Sequence, residues 1–343
     1  MPPCSLVKEM NKPPSLQHVA KAAKLSPATV SRYLNGSLTL PKETADRIDA
    51  AIATLNYRPN PHARSLSRGK SDTIGLVIPD IANPFFAKLA AAVEHYADAE
   101  GMALMLCSTL NRPERELDYL ERLRRNYVDG LLFTTNHRDE QGTLAKAINS
   151  SANIVVMDED IDDVDVPKVF SDNVQGGELA ARHFTECGHS KVAYIGGPRD
   201  IMSSRERAQG FTQGLVGSSA EIAADLYGAY TAEHGRDAMR YILDNHPDVT
   251  AIFTSSDEIL YGMMHVLRDR KIRVGEDISL ITFDDAGRLD LFDPPITAIR
   301  QSTDEIGRLG FLSLRDRMNG GRSADVLRVP VELVVRASVK ELL

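Results

Sequence analysis

A chain of 343 residues is too long for one small hydrophobic core, and 43% hydrophobic against 26% charged residues is ordinary for a soluble globular protein of two or three domains. Three widely separated cysteines with no CxxC exclude a disulfide framework and a zinc cluster, and no run of about 18 apolar residues exists to span a membrane. The net charge of −8 is uneven: residues 1–71 hold 11 Lys and Arg against 4 Asp and Glu, a balance of +7 that leaves −15 for the remainder, and a basic head on an acidic body confines polyanion binding to one end.

Residues 1–14 lack the apolar stretch of a secretory signal and are expected to form a disordered leader. Ser15 can open a helix over residues 16–23. Ser26-Pro27 starts a second, with serine at the N-cap and proline at the first helical position, where its missing N–H costs nothing. Asn35-Gly36 ends it. Pro41 opens a third, with Ala45, Ile48, Ala51, Ile52 and Leu55 at helical spacing. Two helices joined by three residues make a helix-turn-helix over 15–58, whose second helix is the candidate reader of a DNA major groove. Residues 59–71 are basic and proline-bearing, a linker in which residues 62–67 could form one or two helical turns.

From Thr73 the pattern changes to alternating strands and helices. Strands are expected near residues 74–78, 102–107, 130–134 and 154–158, separated by helices near 84–101, 114–126 and 143–150. The pattern restarts after Gly176 with helices to Cys187 and near 204–214, 234–245 and 258–270, and strands near 191–196, 251–254 and 279–283. Strands spaced by such helices imply parallel sheets, and two runs imply two doubly wound, Rossmann-like lobes in the core of residues 72–343. Ligands in such sheets lie beyond the carboxyl ends of the strands, so the polar residues just after each strand are the candidates.

The motifs now carry a resemblance. Ser26-Pro27-Ala28-Thr29-Val30-Ser31-Arg32, Asn35-Gly36, Leu55-Asn56-Tyr57-Arg58-Pro59-Asn60 and Ala63-Arg64-Ser65-Leu66, followed by two α/β lobes, resemble the lactose/galactose-repressor (LacI/GalR) family over about residues 15–340. The core is also similar to ribose-type periplasmic sugar-binding proteins through Asn83-Pro84-Phe85-Phe86, Arg205-Glu206-Arg207, Asp257, Phe283-Asp284 and Gln301. The resemblance implies an all-α helix-turn-helix head hinged to a periplasmic-binding-protein-like core, its first lobe about 72–172 plus 300–330 and its second about 173–299 plus 331–343.

For the head it implies that Pro27, Ala28, Thr29, Ser31 and Arg32 face the major groove with Asn35 at the end, and that Tyr57 also belongs to the DNA-binding set. Arg32 can fork onto guanine O6 and N7, Ala28 leaves space for a thymine methyl, and Ser26 and Thr29 suit phosphate. In the hinge, small Ala63 allows two helices to approach, Arg64 meets phosphate or the groove floor, and Leu66 acts as an apolar wedge between base pairs. Lys24 stands in the turn where the family carries glycine, a departure that costs roughly 1 kcal/mol if the backbone there needs a positive φ. Paired half-sites require a homodimer on near-palindromic double-stranded DNA. The last residues hold no heptads, so assembly beyond a dimer is not expected.

For the core the resemblance implies Phe85 and Phe86 against a sugar ring, with Asn83, Asp158, Arg207, Asp284 and Gln301 on its hydroxyls and Ser256 and Asp257 nearby. Glu159 stands where the ribose-type pattern has arginine and Ser256 where it has asparagine. The expected effector is therefore a monosaccharide or polyol, with an amine near Glu159 suited to the gained carboxylate. A purine is the alternative within the family. A sugar-modifying enzyme is the distant alternative: Gly69-Lys70-Ser71 lacks the rest of a phosphate loop, and GxGxxG, GxSxG and HExxH are absent. No cofactor or metal is expected, Asp158-Glu159-Asp160 reading as ligand-site or surface acids, and the expected location is the cytoplasm.

Overall fold

The computed structural model describes residues 14–58, 70–124, 128–322 and 324–342. Contacts divide the chain into two units, residues 1–71 and 72–343. The expected leader, apart from Pro14, lies outside the described residues, as do the 62–67 turns with Ala63, Arg64 and Leu66.

The head consists of α1 (Leu16–Ala23), α2 (Pro27–Leu34) and α3 (Lys42–Leu55). Ser26 Oγ accepts from Thr29 N at 3.1 Å, satisfying an N–H that the first helical turn leaves unpaired. Lys24 ends α1 at φ 56°, ψ 44°, and Leu25 N closes the turn onto Ala20 O at 2.9 Å. The turn therefore does demand the left-handed backbone that glycine adopts freely, and lysine bears that strain here. Val19, Ala20, Ala23, Val30, Ile48 and Ala51 form the buried centre of the head.

In the core, β1 (Thr73–Ile78), β2 (Ala103–Ser108), β3 (Gly130–Phe133), β4 (Ile154–Met157), β5 (Lys168–Ser171) and β11 (Val326–Val329) form one sheet in the order β11-β5-β4-β3-β1-β2. All of its pairings are parallel. β6 (Lys191–Gly196), β7 (Glu221–Tyr227), β8 (Ala251–Thr254), β9 (Ser279–Phe283), β10 (Thr297–Gln301) and β12 (Val331–Val334) form the second, in the order β12-β10-β9-β8-β6-β7, parallel except for β10 with β12. The central strands read as continuous apolar runs because both faces are covered. The first sheet carries α4 (Pro84–Ala99), α5 (Pro113–Arg124), α6 (Thr143–Asn149) and α11 (Thr303–Met318); the second carries α7 (Asn173–Glu186), α8 (Met202–Gly214), α9 (Ala232–Asn245) and α10 (Asp257–Arg270).

The chain crosses between lobes three times: from β5 into α7, from β10 into α11, and from β11 into β12. Hydrogen bonds tie the crossings together. Asp172 N donates to Val329 O at 2.8 Å, Val331 N donates to Gln175 Oε1 at 2.9 Å, and Ser171 Oγ donates to Gln301 Oε1.

Several elements differ from the sequence reading. The helix placed after Gly176 begins at Asn173, capped by Asp172, whose Oδ1 accepts from Gln175 N at 3.0 Å. β5, β7, β10, β11, β12 and α11 were not among the expected elements. β5 and β11 have four residues each and β7 is a half-exposed edge, so none presents the long apolar run that marked the central strands.

Candidate DNA interface and ligand cleft

On α2, Pro27, Ala28 and Arg32 are exposed and Thr29, Ser31 and Asn35 are half-buried, while Val30 is fully buried beneath them. Ser26 and Thr29 are joined hydroxyl to hydroxyl at 2.8 Å, so both contribute to the cap itself. Tyr57 packs against the head's apolar centre. The exposed set leaves a positive side chain, a methyl and small polar groups free on one short helix. These are the side-chain types that read base edges and touch phosphates.

The cleft is built at the carboxyl ends of the strands. Arg207, on α8, is 5% exposed: its Nε donates to Asn173 Oδ1 at 2.8 Å and its Nη1 to Ser255 O at 2.7 Å, and the guanidinium lies 3.8 Å from the centre of the Phe283 ring. Such stacking and forked donation hold a guanidinium rigidly. Close packing of α7 on α8 places it. A Cβ on Gly210 would come within 2.0 Å of Val174 O, and one on Gly177 within 2.3 Å of Arg207 O.

Two carboxylates from opposite lobes lie within electrostatic range of this guanidinium. Asp158 ends β4 at φ 68° and Asp284 ends β9 at φ 76°, both in the left-handed region. Strain of that kind is tolerated where the surroundings over-determine the backbone. Burial pushes the Asp158 carboxyl up to about 7, against the pull of Arg207 and with help from Glu159 and Asp284. Burial also raises Asp284, opposed by Arg207 and by Gln301, whose Nε2 donates to Asp284 Oδ1. For Arg207, burial works to lower its affinity for the proton, but Tyr230, Asp284 and Asp158 reverse this, and the guanidinium holds its proton more tightly than usual.

The remaining candidates divide by partner. Glu159, 2% exposed, reaches across to the start of α8 and accepts the backbone N–H groups of Met202 and Ser203, the latter at 3.1 Å. Burial raises its carboxyl, and those hydrogen bonds and Arg207 oppose the rise. Ser256 caps α10, accepting from Ile259 N at 3.3 Å, and Asn83 caps α4, accepting from Phe85 N at 2.8 Å. Phe85 and Phe86 are nearly buried, edge to face at 5.1 Å, in the apolar cluster of the first lobe that Ala286 of the second lobe joins. Asp257 is fully buried in the first turn of α10; its Oδ2 meets Tyr261 Oη at 3.5 Å, and its Oδ1 has no well-formed hydrogen bond. Burial drives its carboxyl well up, with Asp284 and Glu258 adding to the effect.

Arg207, Asp158, Glu159, Asp284 and Gln301 are thus brought together, with Asp257 electrostatically linked through Asp284. Asp285, one residue on, serves structure: Arg300 and Arg336 hold its carboxylate at 2.6 and 2.9 Å, outweighing burial, and its affinity for the proton falls. The sequence reading missed Tyr230, whose hydroxyl lies 3.4 Å from Ser203 Oγ and whose neighbours include Arg207, Glu159 and Asp284. It follows β7, itself unforeseen, so no strand end pointed to it. Among the described residues, buried side-chain atoms without a well-formed hydrogen bond are Ser204 Oγ, Ser255 Oγ, Asp257 Oδ1 and His189 Nε2. Ser204, on α8, and Ser255 both sit beside Tyr194, and Ser255 and Asp257 follow the end of β8. No group of three or more His, Cys, Asp or Glu among the described residues is arranged to hold a metal.

A basic helix-turn-helix head on a two-lobed binding-protein core defines a ligand-responsive, DNA-binding transcriptional regulator and not an enzyme. The comparisons with known proteins give the family. Residues 71–337 match the model of periplasmic binding proteins and the sugar-binding domain of the LacI family, and residues 15–60 match that of bacterial regulatory proteins of the lacI family. The ribose operon repressor of Halalkalibacterium halodurans is 34% identical, covering 95% of this chain and 97% of the relative. The transcriptional repressor PurR of Haemophilus influenzae is 31% identical, covering 96% and 99%. The crystal structure of the lac repressor dimer bound to operator and the anti-inducer ONPF superposes with a TM-score of 0.84 at 26% identity, covering 96% of this chain and all of that one. The chain belongs to the LacI family of bacterial regulatory proteins.

Proposed function

We propose that this protein is a dimeric cytoplasmic repressor that holds a near-palindromic operator through the exposed face of α2 and is switched by a small polar ligand clamped between the core lobes. No helix among the described residues is long and apolar enough to cross a membrane. The dimer and operator are carried over from the lac repressor complex. The observation that carries the ligand reading is the Arg207 cluster, in which charged and amide side chains from both lobes are buried around one guanidinium. Polar groups so placed make a clamp whose closure depends on what lies between them.

Asp158, Arg207, Asp284 and Gln301 are the residues assigned to the ligand, with Tyr230 added to the set. Ser256 and Asn83 are assigned to helix caps and Glu159 to a latch that fixes α8 to the first lobe. In the head, Pro27, Ala28, Ser31, Arg32 and Asn35 are assigned to DNA, and Tyr57 to support of the head. Linkage requires that a ligand favouring one lobe arrangement shift operator affinity, typically by about 1–3 kcal/mol. The direct test is a thermal melt of the full chain against monosaccharides, polyols and purines. A concentration-dependent rise in Tm identifies the effector. A hit that leaves operator affinity unchanged would show that the cleft does not control the head.

A further inference from the structure

The cleft holds more acid than base. Asp158 lies within electrostatic range of Glu159 and Asp284, and Asp257 of Asp284, while Arg207 is the cation that faces Asp158, Glu159 and Asp284. That guanidinium is already committed, two of its nitrogens donating to Asn173 and Ser255 and its face stacked on Phe283. Glu159 is satisfied by the N-terminus of α8, and Asp284 accepts one amide hydrogen bond from Gln301. Asp257 is the unsettled member: its side chain is fully buried, Oδ1 has no well-formed hydrogen bond, and its hydroxyl neighbour Tyr261 stands at the limit of hydrogen-bond distance from Oδ2. The opposite side brings no relief, because Asp80 of the first lobe faces Glu258, the next residue of α10. A buried carboxylate without a donor is expensive, and a donor that also carries charge is the group that compensates it best.

We propose that the effector of this cleft carries a positively charged nitrogen, an amino sugar or amino polyol, seated against Asp257 and Asp284 with Asp158 beside them. This rests on the reading of the cleft as the effector site. It moves the amine away from Glu159, whose oxygens are occupied by backbone donors. The ring hydroxyls of such a ligand fall to Arg207, Gln301 and the Ser204 and Ser255 hydroxyls, which hold hydrogen-bonding capacity in reserve.

The test uses the full chain and matched probes. Glucose, galactose, mannose and sorbitol are each compared with the amino-deoxy analogue, and each amino sugar with its N-acetyl form, by titration calorimetry in two buffers of different ionisation enthalpy. The proposal expects at least one amine to bind tenfold or more tighter than its parent and its N-acetyl form. It also expects protons to be released on binding near pH 6, since the ammonium favours ionised carboxylates. Asp257→Asn should abolish the preference for the amine, bringing the ratio of amine to parent affinity close to one. If that variant fails to fold, Asp158→Asn should at least halve the proton release. A parent sugar binding as tightly as its amine overturns the charged-nitrogen proposal and leaves the cleft reading standing. Silence of every probe, with the chain folded and operator-competent, overturns both.

Discussion

Asp158 leaves β4 in a left-handed backbone conformation and carries a carboxyl that burial raises to about 7. Its ordinary value is 3.8, so between roughly pH 4 and pH 7 the folded chain keeps a proton that the unfolded chain has lost. This contribution to stability is full below that window and is lost as pH rises through it. Asp158→Asn should therefore flatten the fall in urea midpoint between about pH 4 and pH 7. Glu116, also raised to about 7 by burial, against the hydrogen bond from Thr135, should keep its own share of the slope. An unchanged profile in the variant would remove Asp158 from the buried cluster.

At Arg207 the chemistry is geometric. Lysine keeps the charge but loses the fork to Asn173 and Ser255 and the face on Phe283. Arg207→Lys should lower effector affinity at least about tenfold, and Arg207→Ala should also destabilise the ligand-free core by about 3 kcal/mol by stranding Asp158 and Asp284. Effector binding measured by calorimetry and unfolding in urea separate the two effects. Asp158 was legible because it ends a recognisable strand, and Arg207, Asp284 and Gln301 because they stand in the motifs of the resemblance. The sequence did not make legible that Glu159 and Ser256 are consumed by helix N-termini. That depends on which backbone N–H arrives from elsewhere in the chain.

At the scale of elements, the contact of α7 with α8 decides where Arg207 stands. Gly177 and Gly210 let the two backbones touch, and at Gly210 the nearest obstacle is a backbone carbonyl that cannot rotate away. Gly210→Ala should force the helices apart, lowering Tm by several degrees and weakening effector binding, both readable in one set of melts. The packing role of Gly210 is not legible locally, because it depends on the partner helix. The same limit explains the missed elements. β1, β3, β4, β6, β8 and β9 are apolar runs with both faces covered, whereas β7 exposes one face and β5 and β11 are short strands completed by pairing distant in sequence. α11 follows a strand that was itself missed, so the alternation that revealed the other helices stopped before it.

For the whole molecule, the basic charge of the head and the acidic charge of the core divide the labour between DNA and ligand. The proposed connection is the 59–71 segment. There the family resemblance assigns Leu66 to the minor groove, where an apolar wedge costs a few kcal/mol of unstacking that bent DNA returns as added contacts. Leu66→Ala should weaken operator binding about tenfold or more while the effector-induced rise in Tm stays the same. Equal operator affinity in fluorescence-anisotropy titrations would dismiss the wedge.

The triple crossing between lobes also has a consequence for how the chain is made. β11 completes the edge of the first sheet beside β5, yet it is translated after nearly all of the second lobe, and the second sheet in turn waits for β12, which comes later still. On the ribosome neither lobe can finish until the last strands of the core emerge. Until α11 and β11 emerge, the apolar surface of α4 that α11 covers stays open to chaperones and to neighbouring nascent chains. The core should consequently mature as one late cooperative event, and a premature stop anywhere before β11 should leave two unfinished lobes in place of one sound lobe and one broken one.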